Sequence, residues 1–303
     1  NYSMRKPFIT LALFLPLSVM AQVFNVQNVE QVTLPNGSEM VADISPDGNS
    51  LLLTTGNNRG LKSFNLTSGN TVVLSENEGA GYGACFTPSG DAVLFRETSY
   101  TRQHLRMTSL HSIDLNTQKK VELQAATRNL QGVRLTANGA TVINKGKVRA
   151  KAINGKKAKA QPVLSINNQQ LMLTANGKTK VFSPNGTEYS YIWPSISPDG
   201  QKALYYVCGV GAFVCDLNGQ NVKSLGILRA PKWYDNNTVV GMNDEDDGTV
   251  VTASAIIATT LDGATQTLTT NSVIAQFPKP AAQAGKIVFT TPEGKAYIIN
   301  VSK

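Results

Sequence analysis

One phrase recurs along this chain and limits what it can fold into: an apolar residue, then Ser-Pro-Asp-Gly, then a short apolar run. It stands at Ile44-Ser45-Pro46-Asp47-Gly48 before Leu51-Leu52-Leu53, and at Ile196-Ser197-Pro198-Asp199-Gly200 before Ala203-Leu204-Tyr205-Tyr206-Val207. Proline pre-sets φ for a tight turn, aspartate bonds its own backbone, and glycine takes the positive φ that residues with a Cβ avoid. Each phrase therefore predicts a strand, a turn and a second strand. Altered copies follow at Thr87-Pro88-Ser89-Gly90, Thr136-Ala137-Asn138-Gly139, Tyr234-Asp235-Asn236-Asn237 and before Gly285. From Gly48 through Gly90, Gly139, Gly200 and Asn237 to Gly285, the spacings are 42, 49, 61, 37 and 48 residues.

A period of that size, carrying short strands and turn signals, predicts an all-β propeller of four-stranded antiparallel blades. Six starts predict six blades. Seven is the alternative, because the 61-residue interval holds extra strand-like runs at 162–166, 170–174 and 179–183. The last unit offers only three strands, so the lone strand at Val26–Leu34 is expected to supply its fourth and close the ring. With 41% hydrophobic and only 16% charged residues, the composition of this 303-residue chain suits a turn-rich β protein.

The segment 4–21 reads as a signal peptide: Met4-Arg5-Lys6, an apolar core from Phe8 to Leu17, then Val19-Met20-Ala21. Gln22 is the expected first residue of a single mature domain spanning 22–303, which is expected to be periplasmic or secreted and not to span a membrane. Net charge is +8, partly from Lys145, Lys147, Arg149, Lys151, Lys156, Lys157 and Lys159. Alternate positions share one side of a strand, so this run is read as a solvated face, and no nucleic-acid partner is expected. Cys85, Cys208 and Cys215 are too few for a disulfide framework. Cys208 and Cys215 flank a Gly-Val-Gly turn, which leaves open a cross-strand disulfide or two buried thiols.

With Ser-Pro-Asp-Gly turns at Ser45 and Ser197, and Asn65-Leu66, Asp114-Leu115, Asp216-Leu217 and Leu261-Asp262 at the ends of third strands, the chain resembles the WD-repeat-like propellers of the TolB family. The resemblance covers residues 23–303 and is strongest in four units. It implies a periplasmic propeller that binds an outer-membrane lipoprotein and other envelope proteins, here expected as a monomer with an envelope protein or peptide as partner.

Chemistry is expected on the face opposite the Ser-Pro-Asp-Gly turns, where the longer loops collect. The candidate ligand-binding residues are Arg96, Arg102 and His104 in the Arg96–Thr108 excursion, Tyr191 and Trp193, and Asp244, Asp246 and Asp247 in an acidic loop. No catalytic residue is assigned. The only histidines are His104 and His111, too few for a three-histidine metal site, and no nucleophile elbow is present. No cofactor is expected, although the oxygens of Asp244 and Asp246 suit Ca²⁺, and a solvated acidic turn is the competing reading. Trp193 and Trp233 are weighed between a binding platform and packing between blades. The functional expectation is a non-enzymatic binding module. The alternative is a channel-site enzyme of the lyase or glycan-processing type.

Overall fold

A computed structural model describes residues 22–303 apart from 138 and 156, and the expected leader at 4–21 lies outside the described residues. The described chain is a succession of strands: β1 Asn25–Val32, β2 Met40–Ile44, β3 Ser50–Thr54, β4 Leu61–Asn65, β5 Thr71–Ser75, β6 Cys85–Phe86, β7 Ala92–Tyr100, β8 Arg106–Asp114, β9 Lys120–Thr127, β10 Leu130–Thr136, β11 Gly139–Asn144, β12 Lys147–Ala152 and β13 Val163–Asn167. It continues with β14 Gln170–Ala175, β15 Lys178–Val181, β16 Tyr191–Ile196, β17 Lys202–Val207, β18 Gly211–Asp216, β19 Lys223–Gly226, β20 Arg229–Trp233, β21 Thr238–Asp246, β22 Val251–Thr260, β23 Thr265–Thr267, β24 Gln276–Ala281, β25 Lys286–Thr290 and β26 Ala296–Ser302. Among the described residues no helix is long and apolar enough to cross a membrane.

These strands form seven antiparallel sheets, the blades of a propeller. Blades 1 (β2–β5), 2 (β6–β9), 5 (β16–β19) and 6 (β20–β23) are four-stranded meanders, and blades 3 (β10–β12) and 4 (β13–β15) have three strands each. Blade 7 runs β24-β25-β26 and takes β1 as its outer strand, pairing Asn25 with Ser302 through to Val32 with Ala296. The clasp expected from the N-terminal strand is therefore present. The blade count corrects the expectation of six: the long interval holds two compact blades. Their missing fourth strands have a local cause, since among the described residues neither 153–162 nor 182–190 forms a strand; they simply carry the chain from β12 to β13 and from β15 to β16. Lys147 and Arg149 lie exposed along β12, the outer edge of blade 3. Charge on an unpaired edge discourages pairing with another chain.

The Ser-Pro-Asp-Gly phrase works as its chemistry dictates. Asp47 Oδ1 accepts hydrogen bonds from Ser45 Oγ (2.5 Å) and Asn49 N (3.0 Å), and Ser45 Oγ accepts from Ser50 N. Gly48, at φ +72°, donates to Ser45 O. Ser197, Asp199 and Gly200 repeat the arrangement. In the altered copy Asp91 supplies the carboxylate to Thr87 and Ser89. The Asp-Leu positions have a turn role as well: Asp114 Oδ1 accepts from Asn116 N and Thr117 N, and Asn65 Oδ1 from Thr67 N and Ser68 N.

The core lies between blades rather than within one layer. Leu51, Leu53 and Ile44 of blade 1 pack on Val288 and Ile298 of blade 7, and Leu52 packs with Val93 and Phe95 of blade 2. Leu94 and Leu110 of blade 2 meet Ala140 and Val142 of blade 3, while Leu171 and Leu173 of blade 4 meet Tyr205 and Val207 of blade 5. Phe24, Ile256, Ile287 and Phe289 join blades 6 and 7. The first strands touch from blade to blade (β2 with β6 and β24, β10 with β13, β16 with β20, β20 with β24), which places them at the axis.

The possible pairing of Cys208 and Cys215 is not realised. Cys215 is buried opposite Ala203 on β17, whereas Cys208 sits exposed in the turn after β17, and both thiols are free.

Candidate functional site at the channel mouth

The first strand of each blade reaches the axis, and one register position on it collects polar side chains. Asp43 lies opposite Leu52, Cys85 opposite Leu94, Ser195 opposite Leu204, Lys232 opposite Val240 and Lys279 opposite Val288. The partners Leu52, Val240 and Val288 are fully buried core residues at one repeat position. Blades 6, 7, 1 and 2, consecutive around the ring, thus contribute Lys232, Lys279, Asp43 and Cys85 to one layer of the channel, and blade 5 adds Ser195.

Backbone irregularity aims this layer. The register slips just before Asp43, Ser195, Lys232 and Lys279. In three of these bulges the residue two positions upstream is left-handed without being glycine: Trp193 at φ +51°, Ala230 at +47° and Phe277 at +53°. A residue other than glycine there costs of order 1–3 kcal/mol, and bulges characteristically re-aim a side chain beside a site. The strain is spent at the same place in three blades.

Asp43, Cys85 and Lys279 are half-buried along this layer and Lys232 is exposed. Burial pushes the Asp43 carboxyl well above the ordinary carboxylate range, against hydrogen bonds from the Phe86 amide (2.8 Å to Oδ2) and Ile44 and the attraction of Lys279 and Lys232. Burial likewise pulls the Lys279 ammonium well below the ordinary lysine range, and repulsion from Lys232 adds to it. The Cys85 thiol is pushed up to about 12 by burial and by Asp43. From β7, Arg96 reaches the same group, lying over the Tyr82 ring at 5.9 Å. A Cβ on Gly83 would come within 2.8 Å of Arg96 Nη1, so the bare glycine makes room for the guanidinium.

Above the channel, on the face opposite the Ser-Pro-Asp-Gly turns, two hairpins stand tall. Strands β7 and β21 have nine residues each where β3 has five. The difference projects about 13 Å at the strand rise. Blades 2 and 6, which carry these hairpins, flank blades 7 and 1. Between blades 7 and 1 opens a cleft of about 380 Å³ lined by Glu39, Met40, Gln276, Phe277, Thr290 and Glu293. The whole is a trough with blades 7 and 1 as floor, and Asp43 and Lys279 lie three residues further along the strands that line it. Tyr82, Tyr100, Leu105 and Val250, on blades 2 and 6 and the loop before blade 2, are exposed.

The residues singled out from sequence fall into different places. Arg96 belongs to the channel group. Arg102 and His104 are exposed at the tip of the β7–β8 hairpin, His104 at φ +59°. Tyr191 is fully buried, donating from its hydroxyl to Gly186 O (2.7 Å) and packing on Tyr205. Trp193 sits at the rim, edge-on to Tyr206 at 5.4 Å and under Arg229 at 5.9 Å. Asp244 pairs with Arg229 at 3.0 Å. Asp246 and Asp247 shape their own turn, accepting from Gly248 N, and from Thr249 N and Val250 N. Trp233 packs partly buried between blades 5 and 6. Among the described residues, no three His, Cys, Asp or Glu side chains come together as a metal-ligand set. His111 is buried, with Nε2 facing both Ser109 Oγ (2.8 Å) and Glu97 Oε2 (3.3 Å). One nitrogen serving both partners is not the two-nitrogen relay of a catalytic triad.

Sequence reasoning missed Asp43, Lys232 and Lys279. The usable signal was positional: Asp43, Cys85 and Ser195 each precede the turn glycine by five residues, and Lys232 precedes Asn237 by five.

Similarity to known proteins is a similarity of fold. No family model matches the chain, and no curated protein matches it. Among solved structures it is similar to an oligogalacturonate lyase from Vibrio parahaemolyticus (TM-score 0.55, 12% identity, covering 92% of this chain and 98% of that one). It is also similar to an oligogalacturonate lyase in complex with manganese (TM-score 0.52, 14% identity, covering 90% and 79%). TolB from Acinetobacter baumannii gives a TM-score of 0.48 at 17% identity, covering 74% of this chain and about half, 52%, of that one.

Proposed function

We propose that this protein is a non-enzymatic, TolB-like binding propeller of the cell envelope, exported to the periplasm or beyond, that docks a protein or peptide segment in the trough on its loop face. The observation that carries this reading is the trough itself. Two tall hairpins bearing exposed Tyr100, Leu105 and Val250 flank a cleft over the channel, while the opposite face is built of short, self-bonded turns. Exposed apolar side chains gathered around a concavity mark an interaction site. The Ser-Pro-Asp-Gly repeats support the TolB-like assignment.

The test is photo-crosslinking in the native host. A crosslinking amino acid at Tyr100 or Val250 is expected to capture a discrete partner, and one at exposed Asn49 or Asn236 on the turn face none. Capture from the turn face, or from neither face, sinks the docking reading.

One observation favours a channel-site enzyme instead: Lys279, held toward its neutral form, has the character of a general base. That reading draws on the lyase neighbours. Turnover of oligogalacturonate by the purified chain, abolished by Lys279→Gln, decides for it.

A further inference from the structure

We propose that the channel beneath the trough is a carboxylate-binding site, formed by Lys232, Lys279 and Arg96, that receives an acidic side chain of the polypeptide docked above it. This inference rests on the docking reading and names what the docked segment must carry.

Three observations converge on it. First, three cations share the channel layer with one carboxylate, and that one is already engaged: Asp43 Oδ2 faces the Phe86 amide. Among the described residues, neither the Lys232 nor the Lys279 ammonium makes a hydrogen bond or an ion pair, and Lys232 pushes Lys279 toward its neutral form. Lys279 is half-buried and Lys232 exposed; like charges this close repel, and an anion placed between them is the direct relief. Second, the lysines occupy the same register position in neighbouring blades, each immediately after a strained left-handed bulge, Ala230 and Phe277. Third, Arg96 is seated by bare Gly83 and by Tyr82, so its guanidinium is already placed and loses little freedom when it binds.

The occupant is a polypeptide side chain because of what lies above. Tyr100, Leu105 and Val250 are exposed on the hairpins of the two blades that flank the cleft. An extended segment laid along it presents side chains downward at alternate positions.

Proton linkage follows from the groups that face Lys279: Lys232 on β20, Asp43 on β2, Cys85 on β6, and Arg96 on β7, which reaches the group through Cys85. A bound carboxylate favours the charged form of Lys279, so binding takes up a proton wherever Lys279 is partly neutral. Protonation of Asp43 at lower pH removes the competing charge, while Cys85 stays neutral throughout. Both effects strengthen binding as pH falls.

The experiment measures binding of an amidated fluorescent peptide carrying paired glutamates, and of its glutamine counterpart, to the folded mature chain. The glutamate peptide is expected to bind at least about tenfold more tightly, the usual size of a charge-assisted contact. Its affinity is expected to fall between about pH 6 and about pH 8, the side on which a depressed lysine loses its charge. Lys232→Gln or Lys279→Gln is expected to abolish the glutamate preference with circular dichroism unchanged, and Lys147→Gln on the blade 3 edge to leave it intact. Equal binding of the two peptides overturns the proposal. So does equal loss in the Lys147→Gln control, which would mean attraction to net charge alone. Trigalacturonate binding where the peptide does not, or a glutamine peptide with a free C-terminus binding as well as the glutamate peptide, overturns the assignment to an acidic side chain. Crosslinks from Tyr100 that persist without any glutamate preference would leave the docking reading standing and this one refuted.

Discussion

Deleting residues 23–32 is expected to leave a chain that no longer unfolds in a single cooperative transition. Strand β1 pairs with β26 from Asn25 to Val32, so its removal opens the ring and bares a full edge. Phe24, 1% exposed, lies edge-on to Tyr234 at 4.7 Å and packs with the residues that join blades 6 and 7. Gln266 Oε1 accepts hydrogen bonds from both Val23 N and Phe24 N. Burying one phenylalanine contributes about 2–3 kcal/mol, and each ladder hydrogen bond about 1 kcal/mol net. Their sum is comparable to the whole stability of an ordinary domain, roughly 5–15 kcal/mol. Urea unfolding followed by fluorescence should show a broad, early transition, with soluble aggregate on size exclusion because the β26 edge is free to pair. A midpoint and slope equal to the intact chain would mean that the ring is held by packing between blades alone.

Phe289→Ala probes that packing with the clasp left in place. Phe289 is fully buried on β25, stacked on Tyr297 at 5.2 Å and packed against blade 6. A cavity of this kind costs about 3–5 kcal/mol, because rigid strands on both sides cannot collapse into it. The expected result is a large drop in urea midpoint with an unchanged slope. A loss under about 1 kcal/mol, the range of tolerated core swaps, would show the junction between blades 6 and 7 to be loosely packed.

Much of the fold was legible because turn chemistry is local. A Ser-Pro-Asp-Gly turn fixes its hairpin within a few residues, and repetition at a near-constant period leaves few architectures. Blade 4 was hard to read for the converse reason. Its first hairpin pairs Asn167 with Gln170 across Asn168 and Gln169, both left-handed at φ +46° and +66°. That two-residue turn contains neither proline nor glycine, so no phrase marked the start. In blade 3 Thr136 pairs directly with Gly139, a shorter turn than the repeat predicts.

The site was less legible because its members come from blades tens of residues apart, and each is unremarkable alone. Lys232 and Lys279 read as ordinary charged residues flanked by prolines. Only the ring brings them to one layer. The acidic loop attracted notice in sequence because its residues are adjacent, yet Asp244 is turned to Arg229 and Asp247 to its own backbone. Proximity along the chain and convergence in space are different properties, and in a propeller the second depends on register.

On the carboxylate-site proposal, the channel lysines are kept for a ligand and at a cost to the fold. Lys279→Met, measured for thermal stability and for affinity to the paired-glutamate peptide, tests it most directly. In the folded state Lys279 binds its proton less tightly than in the unfolded chain, so it opposes folding below the ordinary lysine range, and that cost shrinks as pH rises toward it. An apolar side chain of similar shape removes the penalty. At neutral pH the variant should melt above the parent, because the desolvated charge and its repulsion from Lys232 are gone, and lose its preference for the glutamate peptide. A variant that melts lower than the parent, or that melts higher and still prefers the glutamate peptide, would contradict the claim.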